Sequence, residues 1–138
     1  TTNVNFFEAD GVHFVDLPGY GLAQRSKGER DRWAQLIGDY FDLDRSFNLV
    51  VSLVDIRHDP SKLDHQMIEF LQEGEFPFIV ALTKADKLSR NQQAKQTAAI
   101  KRQLNVPAKN VIVTSSESGQ GIEELREIIE QYCLGEEE

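Results

Sequence analysis

Residues 77–86 read PFIVALTKAD, an apolar run followed at once by a short polar segment. Similar apolar runs occur at residues 49–54 (LVVSLV) and 111–113 (VIV), and each is also followed by polar residues. Short, nearly continuous apolar runs of this kind are typical of parallel strands that are buried on both faces. The three runs therefore predict the central strands of one parallel sheet.

Helical patterns lie between and after these strands. Apolar residues recur at helical spacing from Leu63 to Leu71 and from Ile122 to Tyr132, and a weaker pattern runs through residues 89–104. Another helix is predicted within residues 26–41, where Ser26-Lys27-Gly28-Glu29 has the capping-box spacing. Strands that alternate with helices predict a three-layer α/β fold.

The first residues predict an antiparallel strand pair at one edge of the sheet. Val4 and Phe6 alternate with polar residues, Ala9-Asp10-Gly11 has the chemistry of a hairpin turn, and the extended pattern resumes at Val12. The sheet is therefore expected to be mostly parallel with one antiparallel edge strand.

The composition indicates an acidic protein with one domain. The chain has 138 residues, 40% of them hydrophobic, and a net charge of −8, which disfavours a general nucleic-acid coat and allows only a local RNA contact. No apolar run approaches the roughly eighteen residues of a membrane span, and the first residues do not form a basic and apolar leader, so we expect a cytoplasmic protein without membrane contact. Cys133 is expected to be a buried thiol, and His13 and His65 lack metal-ligand spacing.

Polar clusters follow four predicted strand ends. These clusters are Asp16-Leu17-Pro18-Gly19, Asp55-Ile56-Arg57-His58, Thr83-Lys84-Ala85-Asp86 and Thr114-Ser115-Ser116-Glu117. Ligands of parallel α/β sheets bind beyond the carboxyl ends of the strands, so all four clusters are expected on one rim. An aspartate that ends a strand can hold Mg²⁺ through water, and a glycine three residues later lets its N–H approach a terminal phosphate.

The later clusters suit a guanine base. The Asp86 carboxylate can accept two hydrogen bonds, from the ring N–H and the exocyclic amine of guanine, a pattern that adenine does not offer. The aliphatic stem of Lys84 can lie along the purine plane, and Thr83 can brace the loop by a hydrogen bond. Ser115 and Ser116 can present a backbone N–H to the guanine oxygen. Three loops would then enclose one nucleotide.

At this point the sequence resembles a known family. The segments 15–21 (VDLPGYG), 55–60 (DIRHDP) and 83–86 (TKAD), together with Ser115-Ser116, are similar to the EngB (YihA/YsxC) family of bacterial P-loop GTPases, and the similarity runs from Thr1 to about Tyr132. The resemblance implies a protein that binds GTP or GDP with Mg²⁺ and assists assembly of the large ribosomal subunit, in contact with its RNA and proteins. It also implies a link to cell division and septation.

The resemblance further assigns site residues. It implies that Thr1 reaches Mg²⁺ and the γ-phosphate, with Thr2 beside it, and that Asp16 is the second metal residue. The complete set of expected nucleotide-binding residues is Thr1, Thr2, Asp16, Leu17, Pro18, Gly19, Thr83, Lys84, Ala85, Asp86, Thr114, Ser115 and Ser116. Tyr20 stands where Ras-like GTPases place the glutamine that orients the attacking water, and a phenol with a pKa near 10 is no general base at neutral pH, so slow hydrolysis is expected.

One element of such a site does not occur in the sequence. No Gly-x-x-x-x-Gly-Lys-Ser/Thr loop is present, and in the resembled family this loop precedes the switch threonine. We therefore expect residues 1–135 to be a partial G domain without its first strand and P-loop helix, followed by an acidic tail at 136–138. The missing strand would lie between the strands that end at Asp16 and Asp55, so sheet edges and an apolar helix face would be open. This chain by itself is expected to be inactive as a GTPase.

The sequence leaves open two alternative functions and two interpretations of Arg57. The chain could be a ribosome-docking module that hydrolyses no GTP, because it lacks the phosphate-binding loop. It could also be a phosphoacceptor receiver domain, because Asp55 ends an apolar strand, although Thr83 and Lys84 are adjacent and a receiver needs them on successive strands. Finally, Arg57 either pairs with Asp55, with His58 capping the turn, or contacts the switch loop or ribosomal RNA.

Overall fold

The polypeptide divides at residue 48 into two compact units, Thr1–Asn48 and Leu49–Glu138. The computed structural model describes residues 5–9 and 12–16 in the first unit, as backbone, and residues 49–133 in the second. The helix predicted within residues 26–41 lies outside the described residues. In the described part of the chain, no helix is both long and apolar enough to cross a membrane.

The first unit contains the predicted strand pair. Strand β1 (Asn5–Ala9) and strand β2 (Val12–Asp16) pair antiparallel, with Asn5 opposite Asp16 and Ala9 opposite Val12. This register leaves two residues between the strands, within the segment whose residue types predicted a hairpin turn. Asp16 is the last residue of β2, as the sequence pattern indicated.

The second unit is a parallel sheet with helices between its strands. In chain order it contains β3 (Val50–Asp55), α1 (Lys62–Glu73), β4 (Phe78–Thr83), α2 (Arg90–Leu104), β5 (Val111–Val113) and α3 (Ile122–Cys133). Short 3₁₀ turns at Ala85–Lys87 and Ala108–Asn110 follow β4 and precede β5. The three strands are parallel in the order β3-β4-β5, which confirms the predicted α/β architecture.

Local signals explain where two of the helices begin. The side chains of Ser61 before α1 and Ser89 before α2 each accept a hydrogen bond from the backbone N–H three residues later. In return, the side chains of Asp64 and Gln92 accept hydrogen bonds from the backbone N–H groups of Ser61 and Ser89. Such capping boxes satisfy N–H groups that have no partner within the first helical turn. At its other end, α2 stops at Asn105, which adopts the left-handed conformation typical of a helix C-cap.

The core of this unit lies around β4 and the inward faces of α1 and α2. Val80, Ala81 and Leu82 of β4 are fully buried, and they are joined by Leu71 of α1 and Ile100 of α2. Burying one large aliphatic side chain contributes about 1.5–3 kcal/mol, so these elements hold the sheet in place. The ends of α1 and α2 are also tied together, because the side chain of Gln72 donates to the Asn105 carbonyl at 3.0 Å.

The prediction that the strands are buried on both faces is confirmed for β4 and wrong for β3. Leu53 is 64% exposed, whereas its neighbours Ser52 and Val54 are buried. Among the described residues, β3 pairs only with β4, so one side of this strand has no neighbour. Helix α3 likewise contains no fully buried residue, and its Cys133 thiol is only partly covered, with burial raising its pKa. The open sheet edges and the open helix face expected around a missing strand stay a prediction.

Candidate functional site

Three of the four predicted polar clusters meet at one edge of the parallel sheet. Asp55 at the end of β3 lies opposite Thr83 at the end of β4, and Leu82 lies opposite Val113, so Thr114 follows β5 at the same level. Backbone bonds join the chain beyond these ends, from Ala85 N–H to the Thr114 carbonyl at 3.0 Å and from Ile56 N–H to the Thr83 carbonyl at 3.0 Å. The sheet therefore brings these loops together, as predicted.

The fourth cluster belongs to the first unit. Asp16 ends β2 there. The remaining predicted residues of the switch site lie outside the described residues: Thr1, Thr2, Leu17, Pro18 and Gly19. Tyr20 lies outside them as well. In the stretches 5–9, 12–16 and 49–133, no group of three or more histidine, cysteine or acidic residues forms a metal site. The two predicted metal residues, Thr1 and Asp16, thus stay a prediction.

The loop after β4 presents a carboxylate at the rim. Lys84 adopts a left-handed conformation (φ 63°, ψ 35°), which turns the chain sharply after the strand, and Ala85 is completely buried beneath the turn. Asp86 follows, and its Oδ1 atom accepts a hydrogen bond from the Ser115 hydroxyl at 2.7 Å. This bond lowers the pKa of Asp86, and Lys87 lowers it further, with its Nζ 3.8 Å from the other carboxylate oxygen. Asp86 is therefore an ionised, oriented hydrogen-bond acceptor at neutral pH.

Two threonines brace this loop from beneath. The Thr114 hydroxyl is buried and donates to the Leu82 carbonyl at 3.0 Å, and the Thr114 backbone N–H reaches the same carbonyl at 2.7 Å. The Thr83 hydroxyl makes a longer contact of 3.5 Å to the carbonyl of Val54 on the neighbouring strand. The bracing role predicted for Thr83 is thus weaker than the one Thr114 performs.

The loop after β5 separates the roles of the two predicted serines. Ser115 is fully buried, and its backbone N–H is already donated to the Gln120 carbonyl at 2.9 Å. Its hydroxyl holds Asp86 and accepts the Ser118 N–H at 3.1 Å. Ser116 is exposed, and its backbone N–H has no hydrogen-bond partner within residues 49–133. Of the two, Ser116 therefore has the free N–H for a ligand oxygen, and Ser115 positions the carboxylate.

A buried amide that the sequence analysis missed connects the two loops. Gln93 of α2 is 7% exposed, and its Nε2 donates to the carbonyls of Ala85 at 2.8 Å and Leu88 at 3.2 Å. Its Oε1 accepts a hydrogen bond at 2.9 Å from Nε2 of Gln120, in the loop after β5. The available signal was the position of Gln93 on the inward face of α2, seven residues before the buried Ile100.

The loop after β5 contains a glycine that no other residue can replace without a clash. Gly121 has φ 72°, and a Cβ atom there would overlap the backbone carbonyl oxygen of Val113. Gly119 also has a positive φ, 86°, but the space around it is open. A side chain at Gly121 would therefore push this loop away from the end of β5, which makes glycine necessary at that position.

An ion pair at the end of β3, one of the two alternatives for Arg57, is present. Both carboxylate oxygens of Asp55 accept from the Arg57 guanidinium, at 3.0 and 2.8 Å, and the Arg57 backbone N–H adds a third bond at 3.0 Å. The Arg57 side chain lowers the pKa of Asp55 to about 2. The His58 backbone N–H closes the turn on the Asp55 carbonyl at 3.2 Å, and Lys84 Nζ lies 3.8 Å from the carboxylate. This favours the pairing interpretation of Arg57 over a free cation.

The sequence of this chain is similar to those of known proteins. Residues 2–129 match the family model FeoB_N, described as ferrous iron transport protein B. Two curated relatives, the probable GTP-binding proteins EngB of Streptococcus pneumoniae strains Hungary19A-6 and ATCC 700669 / Spain 23F-1, are each 47% identical over 126 residues. The alignment covers 90% of this chain and 65% of each relative, so the chain spans about two thirds of their length.

Solved structures show the same fold. A crystal structure of a probable GTP-binding protein EngB aligns with a TM-score of 0.77 at 21% identity, covering 95% of this chain and 82% of that one. Era, in complex with MgGDPNP and nucleotides 1506–1542 of 16S ribosomal RNA, aligns with a TM-score of 0.65 at 16% identity, covering 94% of this chain and 43% of that one. Three-layer P-loop GTPases therefore share the architecture described above.

Proposed function

This chain belongs to the P-loop GTP-binding proteins that the matched family model and the EngB relatives represent, and from this premise we propose that it selects guanine nucleotides as part of a GTP-dependent switch. The observation that carries the proposal is the Asp86 carboxylate, held by the Ser115 hydroxyl at 2.7 Å. A fixed anionic acceptor at the carboxyl end of a parallel sheet is the group that distinguishes guanine from adenine.

The proposed recognition uses three groups of the described loops. Asp86 accepts from the ring N–H and exocyclic amine of guanine, and its lowered pKa keeps it an acceptor throughout the physiological range. The backbone N–H of Ser116, which has no partner within residues 49–133, donates to the guanine oxygen. The Lys84 side chain is 57% exposed, and its methylene groups would lie along the purine ring. Adenine would leave Asp86 facing a lone pair, which is unfavourable for a desolvated acceptor.

The phosphate end of the site is proposed from the family resemblance. Asp16, at the end of β2, is the residue proposed to hold Mg²⁺ through water, and Thr1 is proposed as the switch threonine. Mg²⁺ would neutralise charge on the β- and γ-phosphates. Gly19 would offer its N–H to the γ-phosphate, next to Thr2, Leu17 and Pro18. We also propose that a phosphate-binding loop from outside residues 1–138 completes the site, since this sequence has no such motif.

The wider role is proposed on the same resemblance. With Tyr20 at the position of the water-orienting glutamine, GTP hydrolysis would be slow unless a partner completes the site. The protein would act in the cytoplasm during assembly of the large ribosomal subunit, with a link to cell division and septation. The Era complex with 16S ribosomal RNA supports RNA as a partner of a protein with this fold. A ribosome-docking module that does not hydrolyse GTP is the second candidate.

The test measures base selectivity. The chain is fused, at its amino end, to the segment of the S. pneumoniae EngB relative that precedes the matched region, and binding of fluorescent GDP, ADP and xanthosine diphosphate is compared. We expect binding of GDP over ADP, and its loss in Asp86→Ala. Asp86→Asn should instead prefer xanthosine diphosphate, because an amide donates where xanthine carries a carbonyl.

The controls separate recognition from folding. Glu127→Ala removes an exposed carboxylate of α3 and should leave GDP binding unchanged. A preference of Asp86→Asn for xanthosine diphosphate cannot result from unfolding. If a folded fusion protein binds none of the three nucleotides, the docking-module interpretation replaces the switch, and if it binds GDP and ADP equally, Asp86 does not select the base.

A further inference from the structure

Positive charge is concentrated in one segment of this acidic protein. Residues 84–110 contain seven of the 15 lysines and arginines and one of the 23 acidic residues, whereas the whole chain has a net charge of −8. Helix α2, in the middle of this segment, contains no acidic residue. A mixed surface would have both signs interspersed, so this segregation is not the ordinary composition of a soluble helix.

The cations of this segment are largely unpaired. Lys84 and Lys87 lie 3.8 Å from Asp55 and Asp86. The other five form no ion pair within the described part of the chain: Arg90, Lys95, Lys101, Arg102 and Lys109. Lys101 is partly covered, and the other four are exposed. Their charge is therefore available to an external anion.

The outer side of α2 organises part of this charge into a stripe. Asn91, Lys95, Ala98 and Arg102 follow helical spacing and are all exposed, on the side opposite the buried Gln93. At 1.5 Å per residue, Lys95 and Arg102 are about 10 Å apart along the helix axis. We call these four residues the α2 stripe.

The chemistry of the stripe fits a phosphate backbone. The large exposed hydrophobic residues of the described chain are Leu53, Ile122 and Tyr132, and none of them belongs to residues 84–110. Protein interfaces usually rely on aromatic or large apolar anchors, and helices that lie in a membrane surface need an apolar face. The stripe instead presents Lys95, Arg102 and Asn91. Lysine, arginine and asparagine are residue types with which proteins contact the phosphates and sugars of nucleic acids.

We propose that the α2 stripe is an RNA-docking surface that contacts the phosphate backbone. Its choice of RNA rests on the ribosomal role proposed above, while the surface itself is separate from the guanine-selecting residues. The net charge of −8 does not by itself prevent such a local contact, because exposed charges farther apart than the Debye length of about 8 Å at physiological salt are largely screened from each other. Binding through phosphates is strongly salt-dependent and only weakly sequence-specific.

The test uses the full chain and a fluorescently labelled RNA hairpin, titrated at several salt concentrations. Lys95→Gln/Arg102→Gln removes two charges of the stripe, and Lys62→Gln/Arg126→Gln removes two exposed charges of α1 and α3. We expect the stripe variant to bind roughly tenfold or more weakly at low salt, with the slope of log Kd against log salt reduced by about one per lost phosphate contact. The control variant should bind like the unaltered chain.

Four results would overturn the proposal. The first is no RNA binding by the unaltered chain at low salt, and the second is an equal loss in both variants, which would indicate a net-charge effect. The third is tighter binding of the unaltered chain to a poly-glutamate peptide or to vesicles with anionic lipid than to the hairpin. A duplex DNA of the same sequence distinguishes RNA from general polyanion binding, and DNA binding of equal affinity would refute RNA as the specific partner.

The nucleotide assay separates this proposal from the proposed function. In the fusion protein described above, the stripe variant should keep the preference for GDP over ADP, because the exposed Lys95 and Arg102 are not residues of the guanine site. Loss of RNA binding with intact guanine selectivity would support the docking surface. RNA binding without guanine selectivity would contradict the proposed switch but would still support the RNA-docking surface.

Discussion

The hydrogen bond between Gln93 and Gln120 links the two loops that are proposed to read guanine, and its contribution can be measured. Gln93 makes three side-chain hydrogen bonds, to Ala85, Leu88 and Gln120, at 2.8, 3.2 and 2.9 Å. A buried hydrogen bond contributes about 1 kcal/mol net, so Gln93→Met, which keeps the volume, should lower the free energy of unfolding by about 2–3 kcal/mol. Gln120→Met removes only the shared bond and should cost about 1 kcal/mol.

A double-mutant cycle isolates the shared bond. The double variant loses it only once, so the two single effects should exceed the double effect by about 1 kcal/mol. The measurement is urea denaturation of the unaltered chain and the three variants. Hydrogen exchange of the Ala85 and Ser115 amides adds a local readout, since these amides bond to Thr114 and Gln120. Both should exchange faster in either single variant.

Additive effects would refute this reasoning. Distant, independent sites add within about 0.3–0.5 kcal/mol, so a coupling inside that range would mean that the amide pair does not link the loops. Unchanged exchange of the Ala85 amide in Gln93→Met would contradict it separately. Gln96→Met, a change of the same kind at a half-buried position of α2, serves as the matched control for the substitution itself.

Two further predictions concern the loops. Gly121→Ala should lower the free energy of unfolding by about 2–4 kcal/mol, because its Cβ meets the Val113 carbonyl, whereas Gly119→Ala, in open space, should cost only about 1 kcal/mol for its positive φ. Thermal or urea unfolding of both variants checks this, and equal losses would contradict the steric account. For Asp55, the folded pKa of about 2 lies below the ordinary 3.8, so its ion pair stabilises the fold fully above pH 3.8 and progressively less as the pH falls through 2. In Arg57→Met, an NMR titration of the Asp55 carboxyl carbon should show the pKa moving back toward 3.8, and an unchanged midpoint would remove Arg57 as the cause.

Much of the fold was predictable because its signals are local. The apolar runs before Asp55, Thr83 and Thr114 predicted β3, β4 and β5 to within one residue, and the pattern from residue 89 to 104 predicted α2. Helical spacing follows from bonds between residues four apart, and strand patterning from alternate side chains, so a short window of sequence contains the information. The family resemblance rested on motifs of this local kind.

The sequence predicted which residues form the candidate site, but it predicted their geometry only in part. The sequence determined that Asp86, Ser115 and Ser116 stand after strands of one parallel sheet, and therefore that they meet at one edge. Only the tertiary structure decided that the Ser115 hydroxyl positions Asp86 while Ser116 keeps the free N–H, and that Gln93 bonds to Gln120. These partners are 29 and 27 residues apart in the chain, and no periodicity relates them. Residue types and strand ends follow from local physical chemistry. The pairing of buried polar atoms depends instead on how the loops pack against α2, because most buried donors find their partners among residues that are distant in the chain.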